Sequence, residues 1–95
     1  MAKYLINWES DISRWSTDPK ERATMSTKMA EGIKQDMKEG KIRDWGMFVG
    51  GVAGYTVAEG NAPDVYKDIR QYYPYMTFKV QQVLSLDEAL EVWKS

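Results

Sequence analysis

The chain has 95 residues, no cysteine, no histidine and a formal net charge of −1. That length fits one domain spanning residues 1–95, and such a chain buries only ~60–65% of the surface it exposes when unfolded. Without imidazole or thiol there is no Ser-His-Asp triad, no His-ligated metal or haem, no disulfide framework and no zinc or iron–sulfur site. Chemistry, where there is any, falls to Asp, Glu, Lys, Arg, Tyr, Ser or Thr, and no cofactor is implied.

Residues 3–8 alternate, with Tyr4, Ile6 and Trp8 pointing one way and Lys3, Leu5 and Asn7 the other, which predicts a first strand. Residues 9–17 are polar and read as a loop anchored by Ile12 and Trp15. Asp18-Pro19 then opens a helix, with Asp18 as N-cap, Pro19 in the first position and Glu21 placed to close a capping box. Met25, Met29, Ile33 and Met37 recur every four residues, so one stripe of this helix is expected to pack on a core. Gly40 supplies the left-handed residue that ends it.

Residues 42–58 form two apolar runs around Gly50-Gly51, the signature of a two-residue hairpin with positive φ at both glycines. That register sets Met47 opposite Gly54 and Phe48 opposite Ala53. Phe48, Ala53, Tyr55 and Val57 then share one face of the sheet, and Trp45, Met47, Val49, Gly54, Thr56 and Ala58 the other. Pro63 opens a second helix running to about Tyr72, with Val65, Ile69 and Tyr72 as its buried stripe. Tyr73-Pro74 ends it, because proline disfavours helix in the residue before it. Residues 76–84 alternate again as a strand. Ser85-Leu-Asp-Glu88 is a capping box opening a terminal helix with Leu86, Ala89, Leu90 and Trp93 inward.

The order is β-α-β-β-α-β plus a helix. It predicts an α+β, ferredoxin-like fold: a four-stranded antiparallel sheet, two helices on one face and a short C-terminal helix. Helices cover only one face of such a sheet. Neither face of the second and third strands is cleanly polar, so an apolar surface is left over whichever way the sheet turns. Trp45, Met47, Phe48, Val49 and Val57 are therefore the candidate residues of a homodimer face.

Tyr4-Leu-Ile-Asn-Trp-Glu9, Asp18-Pro-Lys-Glu-Arg22, Gly40-Lys-Ile-Arg-Asp-Trp-Gly46, Gly54-Tyr-Thr-Val-Ala-Glu-Gly60, Tyr73-Pro-Tyr75 and Val83-Leu-Ser-Leu86 together cover nearly the whole chain. In these the sequence resembles a family of small uncharacterised microbial and archaeal proteins, a domain of unknown function related to the dimeric α/β-barrel superfamily. The resemblance implies a protomer whose sheet pairs with a second sheet. That superfamily hosts cofactor-independent monooxygenases, isomerases, haem-binding proteins and amino-acid-sensing domains, so the fold alone selects no activity.

Three acids of the first loop region, Glu9, Asp11 and Asp18, read as solvated surface rather than as a metal site. Seven Lys/Arg against four Asp/Glu over residues 20–43 read as a helix face, and the near-zero net charge speaks against nucleic acid as a partner. No stretch approaches the ~20 apolar residues of a membrane span, and the start lacks a signal-peptide run, so a cytoplasmic location is expected. The remaining reading is a small-molecule pocket. Asn7, an amide in an apolar strand, and Asp44, beside Trp45, are the polar candidates, with Trp8, Tyr55 and Tyr72 as ring partners. These residues suit a structural or ligand-binding homodimer; the alternative is a cofactor-independent isomerase or monooxygenase acting on an aromatic or enolisable substrate.

Overall fold

A computed structural model describes residues 2–95. The strands are β1 (Ala2–Ser10), β2 (Ile42–Met47), β3 (Ala53–Gly60) and β4 (Met76–Val83), and the helices α1 (Pro19–Lys38), α2 (Ala62–Arg70) and α3 (Leu86–Lys94). They form one antiparallel sheet in the order β2-β3-β1-β4, the ferredoxin-like arrangement. Tyr4, Ile6 and Trp8 of β1 stand opposite Ala58, Thr56 and Gly54 of β3. All six are buried, as are Val65 and Met76, and this face carries α1 and α2. The opposite face, with Leu5, Asn7, Tyr55 and Val57, has no helix over it and stays half-exposed.

Helix ends follow local chemistry. Asp18 accepts from the Lys20 amide at 3.1 Å. The capping box expected with Glu21 does not close, because the Glu21 carboxylate is taken up by the Ser16 hydroxyl. At the other end Gly40 (φ +80°) lets the Lys41 amide donate to the Asp36 carbonyl and its own amide to that of Met37, a Schellman closure. The box of Ser85 and Glu88 does form at the start of α3.

Four expectations need correction. The β2–β3 register is as read, Met47 opposite Gly54, but the turn is not the two-glycine type. The Gly51 amide donates to the Phe48 carbonyl, and of the two turn glycines only Gly51 has positive φ, so the turn centres on Val49-Gly50. The second helix stops at Arg70, and Tyr72 follows it in a turn. The stripe of α1 does not enter a core: no α1 residue is fully buried, and Met25, Met29 and Ile33 are half-covered. Finally, α3 does not turn its stripe inward, with Leu86 at 69% and Trp93 at 72% exposure. Strands of this length span about 30 Å. The molecule measures 57 × 24 × 23 Å, its length reflecting α3 continuing past the sheet.

Candidate functional site

Because α1 stands off the sheet, a cleft of about 1170 Å³ lies between them. Ligand pockets commonly enclose ~300–1,000 Å³, so there is room for a small molecule. Its floor is Trp8 and Trp45, whose rings stack with centroids 5.6 Å apart and planes 17° from parallel. Met29 and Ile33 of α1 form the roof. Phe78 and Tyr72 close one side, their rings 6.4 Å apart. Tyr72 spans the gap: its hydroxyl stands 3.7 Å from where a β-carbon on Gly32 of α1 would sit.

The tryptophan floor depends on a glycine. A β-carbon on Gly54 would run into the Trp8 ring and the Gly46 carbonyl oxygen, so only glycine lets the indole lie across β3 towards Trp45. The same device appears on the other face. Tyr55 lies over Gly46 and donates its hydroxyl to Asp44 Oδ2 at 2.8 Å. That hydrogen bond, with a contribution from burial, holds the Tyr55 phenol above its ordinary pKa.

The Trp8 indole N–H is covered and has no acceptor. It is shielded by protein atoms, so it is a cost to folding of about 1–3 kcal/mol and not a donor offered to a ligand. Asp36, Lys41, Asp68 and Tyr72 are among the polar groups lining the cleft, as are Ser16, Arg22, Ser26 and Lys34. Burial, then the charge of Asp68, raises the Asp36 carboxyl above the usual carboxylate range. Burial, then Asp36 and Asp68, also pushes the Tyr72 phenol up. Lys41 is engaged elsewhere, 3.3 Å from the Glu39 carboxylate.

A raised folded-state pKa for an acid means that the folded chain holds the proton more tightly than the unfolded one. Stability is therefore lost as pH rises from the unfolded pKa of Asp36 through its folded value. Asp36→Asn is expected to melt above wild type at neutral pH. The gap should close as pH falls below both values, which thermal melts between about pH 3 and pH 7 would follow.

The five residues read from sequence as one pocket do not converge. Trp8 and Tyr72 line the cleft, whereas Asn7, Asp44 and Tyr55 sit on the helix-free face. Strand alternation is the reason: adjacent residues such as Asn7 and Trp8 must point to opposite sides. The expected dimer face divides in the same way. Trp45 and Met47 line the cleft, Val57 lies on the free face, and Phe48 and Val49 occupy the hairpin turn. Met29, Ile33, Asp36, Asp68 and Phe78 were not singled out as site residues, although the four-residue stripe of α1 already marked the first two as facing the sheet.

Among the described residues no three acids gather as a metal-binding group. The Asp11 carboxylate accepts from Ser13 and pairs with Arg14, while Asp18 caps α1. No described helix is long and apolar enough to cross a membrane. The sequence matches no known family model, and no curated protein is significantly similar to it.

Proposed function

We propose that the chain is a homodimeric binding module for a small, largely apolar molecule seated on the Trp8–Trp45 floor of the cleft. The observation that carries this is the cleft itself: about 1170 Å³ bounded by two stacked indoles, Met29, Ile33 and Phe78. Flat apolar walls of this kind suit an aromatic or fused-ring ligand, held by area and ring stacking. Asn7, the amide suited to polarising a carbonyl, and Asp44, the carboxylate suited to taking a proton, are on the opposite face, which favours binding over isomerase or monooxygenase chemistry.

Dimerisation through the helix-free face completes the reading. Leu5, Tyr55 and Val57 lie at its centre with no helix over them. On β1 Lys3 and Glu9 flank this patch at opposite ends of the same face. A two-fold axis perpendicular to the strands would set Lys3 of one copy against Glu9 of the other, whereas an axis along the strands would oppose like charges.

A thermal-shift series with indole, benzoate and naphthalene-2-carboxylate tests the binding claim. At least one compound is expected to raise the melting temperature in wild type and to lose that effect in Ile33→Trp, which fills the roof. The same absence of shift in both proteins, or an equal shift in both, would contradict it.

A further inference from the structure

Two apolar segments outside the cleft are uncovered, and they lie at opposite ends of the sheet. One is the β2–β3 turn, where Phe48 is 54% and Val49 fully exposed, with Val52 beside them. It sits where Glu9 pairs with Ala53. The other is the stripe Leu86, Leu90 and Trp93 of α3, which starts three residues after Val83, the partner of Lys3. We infer that α3 of one copy docks on the β2–β3 turn of a second copy. This rests on the sheet-paired dimer proposed above.

The geometry selects the second copy over the same chain. The turn and α3 are separated by the length of the sheet, about 27 Å, and a nine-residue helix with its short lead spans only about 20 Å. A two-fold axis perpendicular to the strands reverses the partner's sheet and brings its turn to the α3 end. The remaining sideways gap combines the ~10 Å between stacked sheets with two to three strand spacings, about 12 Å, or roughly 16 Å in all. It is to be closed by the protruding side chains and by the ~30° inclination of one stacked sheet on the other. This is the same axis that matches Lys3 with Glu9.

Area supports the pairing. The exposed parts of Leu86, Leu90 and Trp93 with those of Phe48, Val49 and Val52 amount to roughly 700 Å² per contact, judged from side-chain sizes. Two-fold symmetry repeats the contact, giving about 1,400 Å², within the ~1,200–2,000 Å² of stable interfaces before the sheet faces are counted. Residues 45–53 carry no charge, so Asp87, Glu88 and Glu91 of α3 meet no like charge in that turn.

The chain's lack of cysteine makes the test direct. In the full-length protein carrying Val49→Cys and Leu90→Cys, mild oxidation is expected to yield a covalent dimer on a denaturing gel. Val49→Cys alone should remain unlinked, because the two turns lie at opposite ends of the assembly. Trp93→Ser is expected to raise the dimer dissociation constant at least tenfold by sedimentation, with Tyr66→Ser, on exposed α2 surface, unchanged. An internally linked monomer, a ladder of higher oligomers, or an unlinked protein that still sediments as a dimer would overturn α3 docking while leaving sheet pairing intact. A wild-type chain that stays monomeric at high micromolar concentration would overturn both.

Discussion

Trp8→Ala is expected to remove about 3–5 kcal/mol of stability, the largest loss from any single truncation in this chain. Trp8 is only 6% exposed, closes the helix-covered face at the β1 end and stacks on Trp45. A domain of this size has about 5–15 kcal/mol in total, so the variant should be largely unfolded at moderate urea concentrations. Trp8→Phe should cost markedly less, because it keeps a ring in place and removes the indole N–H that has no acceptor. Tyr66→Ala, at 58% exposure, should stay within ~0.5 kcal/mol. Urea denaturation followed by far-UV circular dichroism separates the three. A Trp8→Ala protein as stable as wild type would mean that the tryptophan floor is not part of the folded core.

Gly54→Val is expected to be comparably damaging for a different reason. Its β-carbon would meet the Gly46 carbonyl oxygen of β2 and the Trp8 ring together. A side chain can rotate away, but a strand carbonyl can move only by breaking the β2–β3 ladder, so the cost should exceed the ~1–3 kcal/mol of ordinary overpacking. Gly50→Ala is the matched control: nothing lies within 4 Å of its would-be β-carbon and its φ is not positive, so it should be near neutral. Thermal melts of the two variants should differ by more than 10 °C, given about 4–8 °C per kcal/mol at this chain length. Equal melting temperatures would contradict the close approach of Trp8 to β3.

These two residues also show what the sequence carried and what it did not. Alternation in residues 3–8 and 76–84, with the apolar runs around Gly50-Gly51, was enough for the strands, the fold and the Met47–Gly54 register. It could not tell which glycine would take positive φ, because two adjacent glycines accommodate several turns. The spacing of Met25, Met29, Ile33 and Met37 fixed which side of α1 faces the sheet. It carried no information about how far from the sheet α1 stands, and that distance is what creates the cleft. The outward stripe of α3 was hidden for a related reason: amphipathicity demands a cover and does not say that the cover belongs to the same chain.

For the site, Trp8 and Tyr72 were legible as ring partners of a pocket, but the face of the sheet that the helices cover was not. Grouping them with Asn7, Asp44 and Tyr55 ignored the strand period, which alone separates Asn7 from Trp8. Asp36 and Asp68 were invisible as a pair, since their proximity depends on how α1 and α2 come to border the same cleft.

The central claim is that a small apolar molecule settles on the Trp8–Trp45 floor. The four tryptophans make it directly measurable, because Trp8 and Trp45 form the floor, Trp15 lies at the cleft's edge against Tyr75, and Trp93 is on outlying α3. In an ¹⁵N-labelled sample titrated with indole or naphthalene-2-carboxylate, the indole N–H signals of Trp8 and Trp45 should shift together and saturably while that of Trp93 stays fixed. Saturable shifts confined to Trp93, or none at the floor with any compound of the series, would contradict the account.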